Sequence, residues 1–226
     1  MNPFFLGTAD RRLFGIHEPA ASHEGKARAA VLCQPWGNEY IYAHRSMRQL
    51  AVKLSQAGFH SLRFDYFGSG DSAGEECDTD FAGLQVDVAA AIEALKEIAE
   101  TPRVTLIGLR AGANVAANTA VNSPETVEAV VLWDPIFAAD QQCRIIREGA
   151  QSTGLQSLID ALPSRSLILA TQDRHSYEQW NRDREAAGAK PAPIEFFTAA
   201  CPWVESASTS GALPVPVIQR IQEWLR

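Results

Sequence analysis

Apolar positions fall along this chain in short unbroken runs separated by stretches of helical spacing. Phe4-Phe5-Leu6-Gly7 and Leu13-Phe14-Gly15-Ile16 flank a polar turn over residues 8–12 and predict an antiparallel hairpin. Ala29-Ala30-Val31-Leu32-Cys33 is continuously apolar, as a strand buried on both faces should be. Met47, Leu50, Ala51, Leu54 and Ala57 then recur at helical steps and stop at Gly58, which predicts a helix with a glycine terminator. Residues 60–64 read as the next strand. Phe81, Leu84, Val88, Ile92, Leu95 and Ile98 make a longer helical stripe, with Asp78 or Thr79 as its N-cap. Further strands are expected over 104–107, 127–132, 167–170 and 194–197, and further helices over 176–187 and 214–225. Residues 140–162 read as a weakly patterned, mostly helical insertion.

After the hairpin, strand and helix alternate. That order implies an α/β chain with a mostly parallel eight-stranded sheet and helices on both faces. Ligands of open α/β sheets gather where the strands end at their carboxyl edges. The rule brings Gln34-Pro35-Trp36-Gly37, the loop 65–70, Arg110, Asp134, Asp173 and the loop 199–208 around one crevice. Composition narrows the picture without changing it. A chain of 226 residues suits one domain, spanning 1–226, in which 140–162 forms a short lid-like insertion. Its 46% hydrophobic and 21% charged content is that of a folded globule. The net charge is −7 and the only adjacent basic pair is Arg11-Arg12, which argues against a nucleic-acid surface. No apolar run approaches the roughly 20 residues needed to span a bilayer, and the first residues do not pattern as a secretory leader. The four cysteines are widely spaced, without Cys-x-x-Cys, and imply reduced thiols in a cytoplasmic protein. Neither metal-ligand spacing nor a dinucleotide-type glycine loop is present, so no cofactor is implied. The expected partner is a small molecule; a homodimer is allowed.

The chemistry gathers at Val104-Thr105-Leu106-Ile107-Gly108-Leu109-Arg110-Ala111-Gly112-Ala113-Asn114, a buried strand, a tight turn and a closely packed helix. With Gln34-Pro35-Trp36-Gly37 at an oxyanion-loop position and Asp65-Tyr66-Phe67-Gly68-Ser69-Gly70-Asp71-Ser72 as an Asp-x-x-Gly-x-Gly-x-Ser loop, the chain resembles the α/β-hydrolase superfamily over its whole length. It is most similar to bacterial serine-aminopeptidase-type and exosortase-associated hydrolases. The resemblance implies a Gly-x-Ser-x-Gly nucleophile elbow, but the central residue here is Arg110. It also implies an acid at Asp173 or Asp134, and both are present. It implies a histidine after the last strand, and none of His17, His23, His44, His60 and His175 lies there. A serine triad would therefore lack both nucleophile and base.

Arg110 stays protonated and cannot attack a carbonyl. At the head of a helix it suits a carboxylate, phosphate or carbonyl group. The alternative is that it pairs with Asp134 or Asp173 and fills a disused pocket. His44 is the remaining acid–base group near the crevice, with Glu39 placed to orient it; a capping or surface histidine is the plainer reading. Gln34, Trp36, Gly37, Glu39, Ala111, Cys201 and Trp203 are the expected substrate-binding positions. Cys33 reads as core and Cys201 as a packing residue in the loop where the histidine is missing. Two functions follow: an enzyme of acyl-chemistry ancestry with a non-serine site, or an inactive relative that binds a ligand or partner.

Overall fold

The computed structural model describes residues 1–22, 25–136, 158–171, 174–204 and 213–226. Strands β1 (Asn2–Gly7) and β2 (Arg12–Glu18) form the expected hairpin, with Asn2 opposite His17 and Gly7 opposite Arg12. They are followed by β3 (Arg28–Cys33), β4 (Phe59–Phe64), β5 (Val104–Leu109), β6 (Val127–Trp133), β7 (Ser166–Ala170) and β8 (Ile194–Phe196). The helices are α1 (Asn38–Gln56), α2 (Phe81–Ala99), α3 (Ala111–Asn122), α4 (Arg174–Ala186) and α5 (Val215–Leu225). The eight strands make one sheet in the order β1-β2-β4-β3-β5-β6-β7-β8. β2 lies antiparallel to β1 and β4, and every pairing from β4 to β8 is parallel.

The central strands are apolar throughout because both faces are covered. On one face Leu62, Leu106 and Val130 pack with Leu84, Val88 and Val115 of α2 and α3. On the other, Leu32, Ile107 and Val131 pack with Met47, Leu50, Ile218 and Ile221 of α1 and α5. Among the described residues no helix is long and apolar enough to cross a membrane.

Several boundaries differ from the sequence expectation. α1 begins at Asn38, directly after Gly37 (φ 67°), ahead of the apolar repeat that starts at Met47, so its first turns contain Tyr40 and His44. Its buried stripe extends back through Ala43 and Ser46, residues too small or polar to register as an apolar repeat. The N-cap of α2 is Asp80, whose Oδ1 accepts from Gly83 N at 2.8 Å. Asp78 instead closes the short turn before it, accepting from Glu75 N, and Thr79 accepts from Arg11. Of the insertion, Ile159–Ala161 forms one 3₁₀ turn; residues 140–157 lie outside the described residues, as do His23, Cys143 and Asp173.

One ion pair ties the hairpin to the rest. Arg11 Nε meets Asp87 Oδ1 at 2.6 Å, and its Nη2 meets Oδ2 at 3.2 Å. The guanidinium lies 4.4 Å over the Phe67 ring, and Phe67 N donates to Asp87 Oδ2 at 2.9 Å. Asp87 is fully buried. Burial pushes its carboxyl above the ordinary value even with Arg11 and Phe67 N donating to it. Arg11→Ala leaves that carboxylate without its cation and is expected to destabilise the fold by about 3–5 kcal/mol. Chemical denaturation measures this; a loss within about 0.5 kcal/mol would mean the pair is ornamental.

Candidate active site

β5 ends at Leu109 and α3 begins at Ala111, so the chain reverses direction within one residue, Arg110. Gly108 and Gly112 permit this. A Cβ on Gly108 would overlap the backbone of Gly112 and Ala113, and one on Gly112 would overlap the carbonyls of Cys33 and Gln34. α3 therefore lies directly on the ends of β5 and β3. Arg110 is driven to φ 55° and ψ −123°. Its N–H donates to Trp133 O at 3.0 Å and its carbonyl accepts from Ala113 N at 2.9 Å, which fixes the turn. A side-chain-bearing residue held in such a region costs about 1–3 kcal/mol.

The turn presents the Arg110 side chain beside the first turn of α1. Nε donates to Glu39 Oε1 at 3.0 Å. The two side chains keep 18% and 27% of their surface, so the pair is only partly withdrawn from water. Nη1 lies 3.5 Å from the carbonyl of Asp134, and the guanidinium sits 5.5 Å from the Trp203 ring. The sequence pointed to Asp134 or Asp173 as the partner carboxylate. The structure adds Glu39, which the sequence had assigned to orienting His44. The Asp134 carboxylate is 1% exposed and accepts from Thr171 N at 2.7 Å and Thr171 Oγ1 at 2.6 Å. It thus ties the end of β6 to the end of β7 and offers its carbonyl toward Arg110.

The remaining expected positions divide. Ala111 opens α3, and Gly37 caps α1 with open space where a Cβ would stand. Trp203 is buried and meets Trp133 edge to face at 6.4 Å; Cys201 is half-buried in the same cluster. Of these, Ala111 follows Arg110 in the chain and Trp203 meets its guanidinium. Gln34 is turned away, donating to Phe64 O at 2.8 Å and Asp65 Oδ1 at 3.2 Å. Trp36 packs edge to face with Tyr66 in the α2-side core. His44 is exposed on α1 beside Tyr40, and its proton affinity is lowered by partial burial and then by Arg63. Burial pushes the Cys33 thiol up to about 12, the state of an inert core residue.

Sequence reading missed Thr171 and Asn114. Asn114 donates to Ile136 O at 2.6 Å and accepts from Ile136 N at 2.8 Å, pinning the chain after Asp134 to α3. Its signal was a lone amide among small apolar helix positions. Among the described residues, no group of three or more His, Cys, Asp or Glu side chains gathers that could hold a metal ion.

A family model described as serine aminopeptidase, S33, matches residues 25–208. No curated protein matches the chain. Solved structures do. An α/β serine hydrolase without a lid, from Xanthomonas campestris, superimposes with a TM-score of 0.72 and 16% identity, over 100% of this chain and 93% of its own. Est1E from Butyrivibrio proteoclasticus, solved with ferulic acid, gives 0.71 and 11%, over 98% and 97%. An esterase from Pyrococcus furiosus gives 0.66 and 16%, over 99% and 91%. Identities this low speak to architecture, and the architecture is the α/β-hydrolase fold with its mostly parallel eight-stranded sheet.

The strain at residue 110 is separable from its charge. Arg110→Ala keeps the positive φ and loses the side-chain contacts, whereas Arg110→Gly loses the same contacts and relieves the backbone. The glycine variant is expected to be more stable than the alanine variant by about 1 kcal/mol or more. Urea midpoints of the two proteins measure it, and equal midpoints would show the turn unstrained.

Proposed function

The chain belongs to the serine aminopeptidase S33 family, and from that membership we propose an α/β-hydrolase-fold enzyme whose pocket works without a serine nucleophile. Arg110 takes the nucleophile's place in the elbow, and no histidine follows β8 in the sequence. A hydroxyl–imidazole–carboxylate relay would lack its hydroxyl and its imidazole there. The observation that carries the reading is the apex cation itself. A forked guanidinium is aimed by a strained turn, steadied through Nε by Glu39 and set against the Trp203 ring. Beside it lie the first N–H groups of α3, which have no partner within the helix and favour negative charge. A carboxylate, or a carbonyl gaining negative charge in a transition state, is matched by both. The substrate class is a small acyl, ester or carboxylate-containing metabolite.

Three groups were candidates for proton transfer. Asp134 is engaged by Thr171, and His44 lies among Tyr40, Arg63 and Asp65. The proposal therefore rests that role on Asp173, at the acid position after β7. A cytoplasmic setting is part of the same reading, and the described cysteines Cys33, Cys77 and Cys201 are free thiols. One observation favours a second reading, a non-catalytic ligand-binding protein: Glu39 already supplies Arg110 with a counter-charge, so the cation is balanced without substrate.

A panel of esters and thioesters assayed with wild type and Arg110→Ala separates the two. The enzyme reading expects turnover that falls by about 100-fold in kcat/KM in the variant. The binding reading expects no turnover, but a carboxylate ligand whose thermal stabilisation disappears in the variant. Fluorophosphonate labelling of a serine in the wild type would overturn both.

A further inference from the structure

Two of the described arginines are buried, Arg184 and Arg63. Arg11 has Asp87, Arg184 has Asp160 and Arg110 has Glu39. Arg63 of β4 is 2% exposed, its Nε is buried without a hydrogen-bond partner, and its guanidinium makes no ion pair among the described residues. A buried guanidinium N–H without a partner is expensive, so what answers it needs an account.

The place is defined by how α1 lies over β4. Ser61 Oγ donates to Ala51 O at 3.1 Å, and Tyr40 Oη donates to Asp65 Oδ1 at 2.8 Å. α1 thus runs back over β4, with Ala51 above Ser61 and Tyr40 above Asp65. Arg63 lies between those two fixed points, on the same face of the strand. The stretch of α1 above it carries Tyr40, His44 and Arg48, spaced four apart and therefore on one stripe. The Tyr40 and His44 rings meet at 6.2 Å, and His44 and Arg48 are exposed. β2 flanks the place, with Ile16 opposite Arg63 and Glu18 opposite Ser61. The neighbouring carboxylates are engaged elsewhere. Asp65 accepts from Tyr40, from Gln34 and from Asp71 N, and Glu18 pairs with the amino terminus at 3.3 Å.

We propose that Arg63, Arg48 and His44 form a binding site for a phosphate group, on a different side of α1 from the one that Glu39 turns to Arg110. Two permanent guanidiniums and one titratable imidazole match a dianion better than a carboxylate. The guanidiniums supply forked donors to its oxygens, and the buried one needs no further desolvation. The local field agrees. His44 is held below its ordinary value by partial burial, then by Arg63, with Arg48 acting in the same sense and Asp65 against. Arg63 is itself lowered by burial, with Arg48 adding to this while Glu18, Asp65 and Tyr40 oppose it. A bound dianion acts at His44 against Arg63 and Arg48, in the same sense as Asp65. The site does not depend on the function assigned to Arg110.

The test is a titration of the whole protein with sodium phosphate at constant ionic strength, reading the His44 imidazole by NMR across pH. Phosphate is expected to raise the His44 midpoint by about one pH unit or more. Arg48→Ala, a surface change, is expected to weaken phosphate binding about tenfold, and Arg63→Met to abolish it. If Arg63→Met does not fold, the Arg48→Ala and His44→Gln variants carry the test. In Arg110→Ala the phosphate-induced shift of the His44 midpoint should be unchanged. Phenyl phosphate binding more tightly than inorganic phosphate would mark a ligand with an organic body, and equal binding the free ion; both support the site. A His44 midpoint that phosphate leaves unmoved overturns the proposal. So does acetate moving it as far, or Arg48→Ala binding phosphate as well as wild type.

Discussion

The crevice depends on how closely α3 approaches the sheet. Gly108 and Gly112 let the helix backbone rest on the carbonyls that end β3, at a distance no side chain tolerates. Every local feature of the site follows from that contact. The chain must turn from strand to helix in one residue, so that residue takes a positive φ and its side chain is thrust over the sheet edge. The turn's N–H must find the neighbouring strand, and it finds Trp133 O. The segment after β6 must pass along the same helix, and Asn114 receives it. A hydroxyl and a guanidinium would be presented by the same geometry; the fold sets the position and the residue sets the chemistry.

Magnitudes separate what the fold needs from what it tolerates at position 110. The Arg110–Glu39 pair keeps water on both partners, and pairs of that kind contribute about 0–1 kcal/mol. The backbone conformation beneath it costs about 1–3 kcal/mol for a residue with a Cβ. The contact therefore does not offset the strain, and glycine would serve the turn better. Glycine would also forgo the contacts of the guanidinium with the Asp134 carbonyl and the Trp203 ring. Arg11 stands at the other extreme. Its partner is fully buried, its guanidinium touches the hairpin, α2 and Phe67 together, and its removal strands a charge in the core.

What the sequence disclosed follows from which interactions are local. Continuous apolar runs such as 29–33 and 104–107 marked buried strands, because a strand covered on both faces has no polar register to hide in. The two elbow glycines marked the close approach of helix and strand for the same reason. α1 was read nine residues short because Ala43 and Ser46 continue its buried face without looking apolar. The cap of α2 was misplaced by two or fewer positions within an acidic run, where Asp78 and Asp80 each complete a different turn. Glu39 could not be assigned to Arg110, since 71 residues separate them and only the packing of α1 beside α3 joins them. Arg63 was invisible as a buried cation. A basic residue alternating within a strand reads as solvent-facing until the helix that covers it is placed.

α1 therefore organises more of the charge than the elbow does. Its first turn sends Glu39 to one side, toward Arg110, and Tyr40 to another, toward Asp65. Successive helix positions diverge by about 100°, so two adjacent residues serve two separate electrostatic environments. In the first, an acid is brought to a cation that the backbone has placed under strain. In the second, Tyr40, Gln34 and Asp71 N bind Asp65, Glu18 pairs with the amino terminus, and Arg63 meets Arg48 as well as these two acids. The same helix thus brings an acid to one cation and a basic side chain to the other. That asymmetry is set by which side chains α1 carries over which strand end, and not by the net charge of the chain, which is −7.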